Sequence, residues 1–107
     1  VSNLYTIAKD YADQIIGECE TLEDAQDMAW EVADSSEDVI YYSRAWDLVA
    51  SNRSDCEDAA DELGLDLADA FSHNGIDGVM AVLAFAGLYA AICRVLHDAA
   101  RCGRLDD

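Results

Sequence analysis

Basic side chains are scarce: six Lys and Arg stand against 23 Asp and Glu, a formal net charge of −17. Nucleic acid and anionic membranes both reward Lys and Arg, so direct binding to either is excluded and a partner is expected to be basic. Proline is absent altogether, while 52 % of the residues are hydrophobic. Acidic chains that stay disordered are poor in apolar residues, so this one has the material for a packed core. At 107 residues it reads as a single domain, 1–107, with no room for a catalytic domain beside a binding domain.

The four cysteines, Cys19, Cys56, Cys93 and Cys102, form no Cys-x-x-Cys pair and no dense framework of the kind small secreted domains use. They read as free thiols packed in the core. The expected compartment is therefore reducing, a cytoplasm, and no charged stretch followed by an apolar run opens the sequence as a signal or transit peptide would. Cys93, His97 and Cys102 could offer three ligands to zinc, but their spacing is not a standard one. Neither His73 nor His97 has a Ser or Cys partner in a recognisable nucleophile motif. There is no Gly-rich phosphate cradle and no calcium loop. The carboxylates are too numerous for any pair to be singled out as acid and base. The chain is therefore read as a non-enzyme with no catalytic, cofactor-binding or metal-binding residues.

No strand alternation is long enough to trust, and apolar spacing points to helices almost throughout, an all-α bundle of about five. In the first, Leu4, Ile7, Ala8, Tyr11, Ile15 and Cys19 make one stripe ending near residues 17–20. Thr21 with Asp24 resembles a capping box opening a second, whose inner face is Leu22, Ala25, Met28, Ala29 and Val32. A third starts at Ser35 or Ser36, runs its stripe through Val39, Tyr42, Trp46 and Val49, and ends at Ser51-Asn52-Arg53. Ser54 with Glu57 reads as the capping box of a fourth, with Cys56, Ala59, Ala60 and Leu63 inward and Gly64 as its stop. A further short helix is expected at 65–71, and Ser72-His73-Asn74-Gly75 is the clearest loop signal. From Asp77 to about Arg101 the chain reads as one long apolar helix. Its longest uncharged run, Gly78 to Cys93, is 16 residues, shorter than the roughly 18 to 20 a membrane span needs. Apolar on nearly every side, it is expected to be a central core helix, or one shared with a second copy in a homodimer.

Charge is segregated. Residues 10–69 hold 19 acids against Arg44 and Arg53, a net of −17, and the rest of the chain nets zero. In the second helix and its approach, Glu20, Glu23, Asp24, Asp27, Glu31 and Asp34 recur at three- and four-residue steps. In the fourth, Asp55, Asp58 and Glu62 make one row, and Glu57 with Asp61 another. Like charges one turn apart each cost a few tenths of a kcal/mol, roughly, and few basic residues interleave to relieve them. Stability does not explain the pattern.

Duplex DNA carries two phosphates per base pair, so 17 charges match roughly 8 or 9 base pairs, about 29 Å of duplex. A compact chain of this size has a radius of gyration near roughly 13 Å, so its charge per unit length is expected to approach that of DNA. Carboxylates one turn apart lie about 5 to 6 Å from each other, near the spacing of successive phosphates on a strand. Salt adaptation would also make a chain acidic, but all round, and the neutral C-terminal third speaks against it.

Two segments carry a resemblance. Leu22-x-Asp24-Ala25-x-x-Met28-Ala29-x-Glu31-x-Ala33 and Tyr41-Tyr42-x-x-x-Trp46-x-x-Val49-Ala50-Ser51 resemble phage-encoded anti-restriction DNA-mimic proteins of the overcome-classical-restriction type. Ala29-Trp30-Glu31-Val32-Ala33-Asp34, leading to Val39-Ile40-Tyr41-Tyr42, is similar to small acidic proteins of phages and plasmids. The resemblance implies a dimeric, mostly helical protein whose carboxylates occupy the DNA groove of a host restriction enzyme. After Gly64 this chain departs from that pattern, with a neutral apolar helix and a basic tail. The expected function is a stoichiometric DNA mimic that blocks the basic channel of a bacterial defence complex, a restriction enzyme or a CRISPR effector, through the eleven carboxylates of the two helices. The alternative is an acidic adaptor or antitoxin-like module that masks a basic partner without mimicking DNA.

Overall fold

The computed structural model describes residues 4–106. Among these the chain is all-α, with six helices: α1 Leu4–Glu18, α2 Leu22–Ser35, α3 Glu37–Ile40, α4 Tyr42–Ser51, α5 Arg53–Glu62 and α6 Leu67–Arg101. The last is the axis of the molecule. Helices α1, α2, α4 and α5 all pack against it, which accounts for its apolarity on nearly every side. Leu83, Ala84, Phe85, Leu88, Ile92 and Leu96 are buried between them. Half of its most apolar stretch is buried in this way, although by length and composition alone it could cross a membrane.

Local chemistry explains most boundaries. The Thr21 hydroxyl accepts a hydrogen bond from the Asp24 amide at 3.2 Å, capping α2. Helix α5 ends at Gly64, φ +68°, where the Leu65 amide reaches back to the Ala60 carbonyl at 3.0 Å, a Schellman closure that favours glycine. The Asp66 carboxylate accepts from the Asp69 amide at 3.0 Å and opens α6. Gly75, at φ +67° and ψ −152°, breaks that helix into an arm, 67–74, and a long body, 76–101.

Four expectations need correction. The segment foreseen as one third helix is two, because Tyr41 is extended at φ −92°, ψ 114°. That break resets the register: α4 buries Ala45, Leu48 and Val49, while Tyr42 and Trp46 are exposed on its flank. Ser54 is not a cap. It lies inside the first turn of α5, which begins at Arg53, and Glu57 pairs with Arg53 at 2.6 Å. The foreseen loop at 72–75 shrinks to one residue, since Ser72, His73 and Asn74 are helical and only Gly75 leaves the helix. Gly87 admits a close approach within the chain: a Cβ there would meet Cys56 Sγ at 2.5 Å, so α5 crosses α6 at this point.

The tail returns after α6. Gly103 turns at φ +80°, Leu105 is buried, and Asp106 pairs beside the start of α2. The Leu22 amide donates to the Asp106 carbonyl at 2.7 Å, and the Asp106 amide to the Glu20 carbonyl at 2.8 Å. The apolar periodicity gives no sign of this clasp.

Candidate partner-binding site: the acidic helix faces

Helix α2 buries Leu22, Ala25, Ala29 and Ala33 against the core. At about 100° per residue, Glu23, Asp24, Asp27, Glu31 and Asp34 occupy an arc of about 100° centred opposite that face. All five are exposed, as is Glu20 in the preceding turn. No Lys or Arg occurs between Lys9 and Arg44, so nothing basic on this helix neutralises the ridge. The six residues singled out there form one continuous outward surface.

Helix α5 is arranged differently. Its buried Cys56, Ala59 and Ala60 split the carboxylates onto two flanks, all exposed. Glu57 and Asp61 lie on one, with Glu57 tied to Arg53. Asp55, Asp58 and Glu62 lie on the other and form one wall of a groove of about 320 Å³. Leu4 and Tyr5 of α1 line its far side, Gly87, Ala90 and Ala91 of α6 its floor, and Arg94 also faces it. Arg94 makes no ion pair among the described residues. Tyr5 and Arg94 were not foreseen as site residues, because three helices far apart in the chain meet to build this groove. Helices α2 and α5 both pack on α6 and share no extensive contact, so the two acidic rows are separate surfaces.

Comparison with protein-family models, with curated proteins and with solved structures gives no match.

The long axis measures 42 Å, with 27 and 21 Å across it, and the radius of gyration is 13.6 Å. Seventeen net charges over that length give about two-thirds of the linear charge of duplex DNA. The long body of α6 stretches the molecule, so the near-equality expected for a rounder chain is lowered. Four exposed ion pairs, Arg44–Glu37, Arg53–Glu57, Arg101–Asp98 and Arg104–Asp13, lie outside the α2 ridge.

Trp30, the cysteines, Tyr89 and His97 lie outside these acidic rows. Trp30 projects from the side of α2 and packs edge-on against Phe85 and Tyr89, with ring centroids 4.8 and 5.1 Å away. It covers α6 more than it offers a free anchor, although 44 % of it remains exposed. The cysteines are free thiols, but they are not all in the core as expected: Cys56 is buried, Cys19 and Cys93 are half-buried against it, and Cys102, past the end of α6, is exposed. Burial pushes the Cys56 thiol up to about 11, helped by Asp55 and Glu57, and pushes the Tyr89 hydroxyl up to about 12. His97 shares a 2.9 Å hydrogen bond with Gln26. Among the described residues no three His, Cys, Asp or Glu side chains are grouped to hold a metal ion.

Proposed function

We propose that this chain is a stoichiometric inhibitor whose α2 ridge takes the place of a phosphate backbone in the basic DNA channel of a bacterial defence complex, a restriction enzyme or a CRISPR effector. The observation that carries the reading is the ridge itself. Glu23, Asp24, Asp27, Glu31 and Asp34 stand exposed on one side of one helix, opposite its buried face, with Glu20 exposed in the turn before it and no basic residue on that helix. A solvated helix face ordinarily interleaves both signs, because i,i+4 pairs of opposite charge stabilise it. Retaining only one sign sacrifices that stabilisation, which makes sense where the surface meets a cationic partner. Each carboxylate then substitutes for a phosphate contact and releases anions held by the channel.

The α5 rows support a different contact. Asp55, Asp58 and Glu62 wall a groove that also holds an apolar floor, Tyr5 and Arg94, features a phosphate backbone lacks. This observation favours the second reading, an acidic adaptor that recognises side chains of a basic protein, for the α5 side of the molecule.

The deciding experiment is competition. Purified restriction and CRISPR effector complexes are challenged with the protein and with duplex DNA, using wild type and the Asp27→Asn, Glu31→Gln, Asp34→Asn triple variant. Mimicry predicts mutually exclusive binding, a loss of about tenfold or more for the variant, and affinity that falls steeply with salt. DNA and protein bound together on the same effector would refute it and leave the adaptor reading.

A further inference from the structure

The elbow of α6 differs chemically from the acidic helix faces. Gly75 leaves helical geometry at φ +67°, and Gly78 lets the arm close on the body, since a Cβ there would lie 2.7 Å from the Ala70 carbonyl oxygen. Between arm and α4 this leaves a recess of about 470 Å³, floored by Gly78, Ala81 and Val82 and walled by Tyr42, Leu65 and Ala70. Its rim carries Asp66 and Asp69 with His73, and no Lys or Arg lines it. One turn along α4 from Tyr42, Trp46 is exposed with its indole N–H donating to Asp77 at 2.8 Å, and Ile40 and Tyr41, just before α4 in the chain, are exposed too. Among the described residues, six of the eight exposed large apolar side chains fall within residues 40–46 and 71–76.

We propose that this recess docks an apolar side chain flanked by Lys or Arg, presented by a basic amphipathic segment of the protein partner. Clustered exposed Trp and Tyr around a concavity are the makings of an interface anchor. Charge selects the occupant. A second copy would bring another net −17 and the same rim carboxylates onto the patch, and nucleic acid or an anionic membrane would be repelled in the same way. A basic segment instead sets its cations on Asp66 and Asp69 while its apolar side chain leaves water. The inference rests on the proposed function only in taking the partner to be a basic protein. It adds an apolar anchor to the salt-sensitive ridge, and it stands whether or not that partner binds DNA.

Two synthetic peptides of equal positive charge test it: a helical Leu/Lys amphipathic peptide, and a Gly/Lys peptide with no apolar face. Backbone and indole NMR shifts map where each binds, and fluorescence anisotropy reads affinity at low and high salt. The Leu/Lys peptide should shift the amides of Gly78, Ala81 and Val82 and the Trp46 indole, and should keep part of its affinity at high salt. The Gly/Lys peptide should shift the acidic faces of α2 and α5 without shifting Gly78, Ala81, Val82 or the Trp46 indole, and be lost on adding salt. Tyr42→Ala and Ala81→Arg should each weaken the Leu/Lys peptide about tenfold and leave the Gly/Lys peptide unchanged. Tyr42 is exposed, so its variant keeps the test valid if Ala81→Arg misfolds. The proposal is overturned if both peptides shift the same residues, if Tyr42→Ala binds the Leu/Lys peptide as wild type does, or if the protein self-associates through this patch. Failure of the DNA competition sinks the mimic reading and leaves this result intact.

Discussion

At the scale of single residues, Cys56 packs directly against the backbone of Gly87. A methyl group on Gly87 would meet Cys56 Sγ at 2.5 Å and Cys56 Cα at 3.3 Å, and the thiol is fully buried with nowhere to retreat. Gly87→Ala should destabilise the protein by about 1–3 kcal/mol, the usual penalty for overpacking. Adding Cys56→Ala removes the sulfur and should recover part of that loss, so denaturant melts of the two single variants and the double will be less than additive. The same thiol gives a pH dependence of defined sign. In the unfolded chain it ionises near its ordinary 9.0, whereas burial holds the folded thiol protonated to about 11. Ionisation therefore favours the unfolded chain as pH rises. The thiol's contribution is complete below pH 9 and declines through the window up to about 11. Thermal melts across that window should show the decline, and Cys56→Ala should make it shallower.

At the scale of elements, α6 and the tail hold the molecule together from opposite directions. All five preceding helices pack on α6, but the segment after it closes the bundle by pairing with the turn before α2 and by burying Leu105 at 3 % exposure. Leu105→Ala should cost about 2–5 kcal/mol, a full core truncation despite its place in a short tail, as urea unfolding would read. A loss below about half a kcal/mol would mean the clasp adds nothing to stability. The arm 67–74 and the helix α4 form a third substructure, set by Gly75 and by the break at Tyr41, and it is this pair of breaks that leaves Tyr42 and Trp46 facing outward.

For the whole molecule, charge and fold pull in opposite directions. On α2, Asp27 and Glu31 are one turn apart, Glu31 and Asp34 likewise, and Asp34 sits in the last turn, where the helix dipole disfavours a negative charge. Neutralising these three by Asn and Gln should raise stability by a few tenths to about 1 kcal/mol at low salt while weakening partner binding. The wild-type melting temperature should rise as salt screens the repulsion, starting from a protein already folded near about 0.1 M. A salt-adapted surface predicts the reverse, a chain unfolded at that ionic strength and folded at molar salt. Thermal melts of wild type and the triple variant across ionic strengths distinguish the two.

The sequence by itself determined the features that depend on a few neighbouring residues. The helical periodicity, the Thr21 cap, the stop at Gly64, the break at Gly75 and the concentration of acid in residues 10–69 are all local or compositional, and each is visible without knowing what packs on what. The α2 ridge was legible for the same reason, since a helix with one buried face must turn regularly spaced carboxylates away from it. Tertiary structure alone decided where the α5 carboxylates point, which side chains Asp55, Asp58 and Glu62 face, that Gly87 receives Cys56, and that Leu105 folds back to the start of α2. It also decided that Tyr42 and Trp46 lie outside, because one extended residue at Tyr41 rotates every position after it. Spacing along a helix names the residues that share a face. Which face is covered, and by what, depends on the crossing of helices distant in the chain, set by the volumes of side chains such as Cys56 and by the missing one of Gly87.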